Sequence, residues 1–198
     1  MLEFASPLIK VTIVPRGKSL GAAWYLPEER QLTTTEQMLD EICAAMGGRA
    51  SEEVFFKKVS TGALSDLEKV TKMAYSMVSI YGLSKKIGNI SYYDSTGQQN
   101  GFTKPYSEER GQLIDKEVSK ILAEQYQRAK DVLIANKEKV KKLASELLTN
   151  EVIFKTDLET IFGVRKWKSY EEERLLKIDK QKTNSQDLQK SKKNDKTS

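Results

Sequence analysis

Ser65-Asp66-Leu67-Glu68-Lys69-Val70-Thr71-Lys72-Met73-Ala74-Tyr75-Ser76-Met77-Val78-Ser79-Ile80-Tyr81-Gly82 is the stretch that decides the fold class. Its apolar residues Leu67, Val70, Met73, Ala74, Met77, Val78 and Tyr81 recur at steps of three and four, the spacing of one buried helical face. Ser65 and Glu68 have the S-x-x-E spacing of a capping box, and Gly82 follows as a helix-ending residue. The pattern repeats in both directions. Upstream, Thr34 and Gln37 open a helix carrying Met38, Leu39, Ile42, Cys43 and Met46, which Gly47-Gly48 should stop before a short helix over residues 50–56. Downstream, a long helix from Ser107 carries Leu113, Ile114, Val118, Ile121, Leu122, Tyr126, Ala129 and Leu133. A further one carries Val140, Leu143, Ala144, Leu147 and Leu148, and the two are expected to lie antiparallel. Thr156 and Glu159 are expected to cap a last short helix before Gly163.

Only the beginning departs from this rule. Residues 9–14 are apolar and β-branched and end at Pro15-Arg16-Gly17, and residues 21–26 read as a second strand stopped by Pro27. Residues 83–106 read as loop, with a short strand at residues 89–92. The predicted fold is therefore mainly α with a small β-sheet near the N-terminus. A core strand so close to Met1 looks like a domain entered partway through.

Composition removes several chemistries. The 198 residues contain no His and a single Cys, with 33 Lys and Arg against 28 Asp and Glu for a net charge of +5. Without histidine the chain cannot by itself build a Ser-His-Asp or Cys-His nucleophile or an H-E-x-x-H zinc site. One cysteine allows no intrachain disulfide and no Cys-rich zinc cluster. No apolar run reaches the roughly 18 residues of a membrane span. Nine bases and six acids fall within residues 168–198, which are expected to form a disordered charged tail. Interleaved acids dilute any phosphate-seeking field there, so nucleic acid is not an expected partner.

Among residues that could carry chemistry, Gly17-Lys18-Ser19 resembles the end of a phosphate-binding loop, but Thr12 stands where the motif needs a glycine. Cys43 lies on an apolar stripe and reads as a packed thiol. Asp66 stands at a helix start, offset by four, seven and eleven residues from Val70, Met73 and Met77, which should put its carboxylate on or beside the buried stripe. An aspartate there complements the helix dipole; it is also where a packed helix would anchor a metal ligand. Glu52 and Glu53 are acids that could approach it, or helix-start charges paired with Arg49.

Together these segments resemble a known family. Lys10-Val11-Thr12-Ile13-Val14-Pro15-Arg16-Gly17 with Leu20-Gly21, Tyr25-Leu26-Pro27, Gly47-Gly48-Arg49-Ala50-Ser51-Glu52-Glu53, Ser60-Thr61-Gly62-Ala63 with Asp66-Leu67, Tyr81-Gly82 and Lys104-Pro105-Tyr106-Ser107 resemble FtsH-type AAA+ zinc metalloproteases, in order, from about Leu2 to Phe162. The resemblance implies a helical metallopeptidase domain over residues 1–167. In that family an H-E-x-x-H helix gives zinc two His ligands and a Glu general base. An aspartate at the start of a later helix is the third ligand, and the match puts it at Asp66. Residues Gly21, Ala22, Ala23, Trp24 and Tyr25 match the family's substrate-binding strand, although Trp24 and Tyr25 packing in a core would explain that segment equally well.

The resemblance further implies a membrane-anchored homo-hexamer that uses ATP and Mg2+ to feed unfolded or membrane proteins to a Zn2+ site. Its place would be the bacterial inner membrane, with this domain cytoplasmic, or a mitochondrial or chloroplast membrane. This chain lacks the H-E-x-x-H helix, the catalytic Glu and the ATPase, so it is expected to be an inactive fragment with no tight zinc of its own. The competing reading is a catalytically dead helical assembly module.

Overall fold

The computed structural model describes residues 1–17, 20–26, 32–93 and 105–167. The tail expected at residues 168–198 lies outside these, as do Lys18 and Ser19. The chain divides into two units, one of Met1–Ala5 with Gln31–Ser145 and one of Ser6–Arg30 with Glu146–Ser198.

The first unit is helical. Helix α1 (Thr35–Ala45) opens with the expected box: the Thr34 hydroxyl accepts from the Gln37 N–H, and the Gln37 side chain accepts from the Thr34 N–H. Gly47-Gly48 does not end the helical path. A second helix, α2 (Gly47–Ser51), begins there and passes into a π-helical turn, Glu52–Phe56. Neither glycine takes a positive φ, so neither acts as a left-handed stop. The π-turn ends instead at Lys57, whose φ of 56° is left-handed.

Helix α3 (Leu64–Ser79) and the long α4 (Glu108–Ala135) complete the packing. Helices α1, α2 and α3 all pack on α4. The shared core is Ile42, Cys43 and Met46, Ala50 of α2, Val70, Ala74, Met77 and Val78 of α3, and Ile114, Val118 and Ala129 of α4. The predicted apolar stripes thus face one another. Gly82 ends α3 as expected, with a φ of 62° that a side chain would resist. Asp40 is the more deeply buried of two buried carboxylates among this unit's described residues, the other being Glu117. Asp40 is 2% exposed; it pairs with Arg128 of α4 at 2.6 Å and accepts the Phe4 N–H at 2.8 Å.

Three further expectations fail. The segment at residues 89–92 forms no strand, although the Tyr92 N–H does bond to the Ser79 carbonyl. Helix α5 (Lys137–Asn150) does not fold back on α4, because Asn136 alone separates them and one residue cannot reverse the chain. The last helix, α6 (Lys155–Phe162), is capped not by Thr156 and Glu159 but by Asp157, whose carboxylate accepts the Phe154 N–H at 2.9 Å.

The second unit holds an antiparallel sheet in the order β2-β1-β3: β1 (Leu8–Thr12) in the centre, β2 (Ala22–Tyr25) at one edge and β3 (Val152–Phe154) at the other. Both early strands are shorter than read from sequence. Glu151, left-handed at φ 59°, turns the chain into β3, and its carbonyl accepts both the Thr12 hydroxyl at 2.9 Å and the Ile13 N–H at 3.1 Å. Ile153, Leu158 and Ile161 are buried here.

Fully buried Ile42 should be costly to truncate: Ile42→Ala is expected to destabilise the helical unit by about 2–5 kcal/mol. Leu64→Ala, at a residue 74% exposed, should stay within about 0.5 kcal/mol. Urea midpoints of the two variants check the pair.

Candidate functional site

The start of α3 is built differently from the sequence expectation. Ser65 and Glu68 do not cap it; the residue before the helix, Ala63, gives no side-chain bond at all. The cap lies further upstream. Ser60, in extended conformation, accepts the Gly62 N–H on its hydroxyl at 3.2 Å and opens a 3-10 turn, Thr61–Ala63, that runs straight into α3. Ser60 is itself held. Its N–H donates to Glu52 Oε2 at 2.8 Å, its hydroxyl donates to Glu52 Oε1 at 2.5 Å, and its carbonyl accepts from Arg49 Nη1 at 3.4 Å. The Ser60 hydroxyl, then the Ser60 N–H, hold the Glu52 carboxyl below the usual carboxylate range. Glu52 and Arg49 therefore meet through Ser60, not as the expected ion pair.

Asp66 occupies the first turn of α3. Its carboxylate is exposed, contrary to the expectation that it would lie on or beside the buried stripe. The reason is local: in the opening turn only Leu67 packs against the core, and the fully buried stripe begins at Val70, while Leu64 is exposed as Asp66 is. Among the described residues no hydrogen bond or ion pair to the Asp66 side chain is found. Nor do three His, Cys, Asp or Glu side chains gather among them as a metal site would require. Asp66 thus offers one hard oxygen donor at the head of a packed helix, and the described residues gather no complete donor set around it.

Residues Ala22, Ala23, Trp24 and Tyr25 are all exposed, which removes the reading of Trp24 and Tyr25 as core. They form an edge strand whose outer side pairs with no other strand among the described residues. Gly21 precedes it for a steric reason: a Cβ there would sit 2.7 Å from the Thr12 carbonyl oxygen. Lys10 lies in register with both Trp24 and Phe154, its ammonium 5.1 Å and 5.7 Å from the two ring centroids. Asp66 and this strand belong to different units.

Comparison with known proteins decides the family. The profile of peptidase family M41 matches residues 1–161. The chain belongs to peptidase family M41. It is 63% identical over 175 residues to the ATP-dependent zinc metalloprotease FtsH of Parabacteroides distasonis, a match covering 88% of this chain and 26% of that protein. It is 46% identical over 171 residues to the mitochondrial ATP-dependent zinc metalloprotease FTSH 10 of Arabidopsis thaliana, covering 86% and 21%. It is also 44% identical over 164 residues to the mitochondrial inner membrane m-AAA protease component AFG3L2 of Mus musculus, covering 83% and 20%. The chain thus spans about a quarter or less of the length of these relatives. No helix among its described residues is long and apolar enough to cross a membrane.

The other acid of the M41 chain's G-G-R-x-x-E-E block has a separate task. Glu53 accepts from the Tyr126 hydroxyl and from Lys130 at 3.1 Å, which fastens the π-turn to α4 and lowers the Glu53 pKa. Sequence reading missed Ser60, Tyr126 and Lys130, since each meets its glutamate from a different element, 8, 73 and 77 residues away. Cys43 is a buried thiol whose pKa is raised chiefly by that burial. The Tyr126 phenol is pushed from 10.0 up to about 12, first by burial and then by the Glu53 bond. A raised folded-state pKa means that its contribution to stability is complete below pH 10.0 and is lost as pH rises through about 12. Tyrosine ring carbon shifts should show Tyr126 titrating near that value. Glu53→Gln should bring it down only partway, because burial, the larger cause, remains.

Proposed function

We propose that this chain is part of the proteolytic domain of an ATP-dependent, membrane-anchored zinc metalloendopeptidase that degrades unfolded or membrane proteins. Asp66 serves it as one zinc ligand, and Gly21, Ala22, Ala23, Trp24 and Tyr25 serve it as the strand that receives substrate. Membership in family M41 carries this reading, since the relatives bear the name ATP-dependent zinc metalloprotease. The exposed Asp66 carboxylate at the head of a packed helix supports it chemically.

Residues 1–167 belong to the metallopeptidase domain in this proposal, with residues 168–198 as a charged appendage. The two histidines and the general base of the H-E-x-x-H helix lie outside the chain. A bound zinc would lower the pKa of a coordinated water and polarise the scissile carbonyl. The chain's own residues have two tasks. Asp66 offers a carboxylate oxygen from a helix whose later turns are fixed by Val70, Ala74 and Met77, so only its own short side chain has to be ordered when the ligand set closes. Strand β2 offers main-chain donors and acceptors to an extended polypeptide, which gives pairing without demanding a particular sequence. That tolerance suits unfolded substrates delivered by an ATP-driven motor with bound Mg2+, in a homo-hexamer held at the bacterial inner membrane or an organellar one. Nucleic acid has no part in this proposal. The chain alone has no peptidase activity in this reading.

Zinc titration of the 198-residue chain by calorimetry should show no one-to-one site tighter than micromolar. In the intact protease, Asp66→Ala should abolish both zinc retention and casein degradation. A tight site in the chain alone that disappears in Asp66→Ala, or full degradation by the intact variant, would overturn the proposal.

A further inference from the structure

We propose that Glu52 is a positioning residue: by accepting both hydrogens of Ser60 it sets where α3 begins and thereby where Asp66 presents its carboxylate. The inference rests on the reading of Asp66 as a metal ligand and extends it to the group that holds that ligand's helix in place.

Four observations carry it. The three polar groups of Ser60 are all engaged by the G-G-R-x-x-E-E block: N–H and hydroxyl by Glu52, carbonyl by Arg49. The hydroxyl oxygen still accepts the Gly62 N–H, so the same atom that donates to Glu52 also shapes the turn leading into α3. Helix α3 has no other side-chain cap, because Ala63 provides none. Glu52 in turn has a firm base: Ala50 and Val54, on either side of it, are buried, and α2 packs on α4.

The chain of support therefore runs from α4 through α2 and Glu52 to Ser60, the 3-10 turn and Asp66. Each Glu52 oxygen accepts one hydrogen bond from Ser60, which gives this carboxylate its role as an acceptor that holds the turn. Its lowered pKa keeps it ionised, and so an acceptor, at neutral pH.

The test compares Glu52→Ala, Glu52→Gln, Ser60→Ala and Asp66→Asn. Amide hydrogen exchange on the 198-residue chain is read at Gly62–Leu67 and, as a control, along α4. Glu52→Ala should speed exchange at the α3 start by roughly ten-fold or more while α4 keeps its protection. Ser60→Ala, a smaller change, should shift the same amides in the same direction. Glu52→Gln should restore most of the protection, because its amide oxygen can accept the Ser60 N–H and its amide nitrogen can donate to Ser60 Oγ.

In the intact protease, zinc retained per subunit and peptide hydrolysis should fall in Glu52→Ala and recover in Glu52→Gln. Unchanged exchange in Glu52→Ala would overturn the proposal. So would a Glu52→Gln variant that recovers exchange but not zinc and hydrolysis, for then the charge itself would be what matters. Asp66→Asn should leave exchange at wild-type rates and lose zinc. If it kept its zinc, the ligand reading would fail while the exchange data still reported on the Glu52 contact, so the two failures are distinguishable.

Discussion

The helical unit depends on one apolar surface, that of α4. Ile114, Val118 and Ala129 meet stripes from α1, α2 and α3, and every other feature of the unit is hung from that contact. Burial of this kind is non-directional, so it needs polar contacts to fix register. Asp40 with Arg128, Glu53 with Tyr126 and Lys130, and Glu117 with Ser84 and Lys86 each bind α4 to another segment at one point. The outcome is a framework in which most carboxylates near α4 already have partners.

Against that framework Asp66 has a different chemical character. It stands on a helix whose later turns are fixed in the core, yet it is itself exposed and its carboxylate has no partner among the described residues. A carboxylate with no competing partner has no bond to give up when a ligand arrives, and the helix beneath it fixes its backbone, so only the side chain itself is ordered on binding. The clasp of Glu52 on Ser60 extends the same logic to the helix start. In the other unit, β2 presents backbone at a sheet edge next to a glycine that the Thr12 carbonyl makes obligatory.

The helices were legible because their signals are local. The three-and-four spacing of Val70, Ala74, Met77 and Val78, the Thr34–Gln37 box and the left-handed Gly82 all lie within a few residues of what they determine. What escaped was set by distance or by backbone conformation. Ser60 displaced the apparent Ser65–Glu68 box because its partner Glu52 belongs to a different element, and Gly47-Gly48 read as a stop although both residues stay helical. Asp66 lies shallower than its spacing implies, because helical spacing gives the face of a residue but not whether a neighbour reaches that turn. The M41 motifs identified the family at once, whereas the purpose of their two glutamates needed coordinates.

The central claim is that the Asp66 carboxylate is a zinc ligand. Anomalous diffraction at the zinc edge from crystals of the intact protease tests it most directly. The account predicts a peak about 2.0–2.2 Å from an Asp66 carboxylate oxygen, with Glu52 bonded to Ser60 and not to the metal. A peak ligated entirely by other side chains, with Asp66 facing solvent, would contradict it.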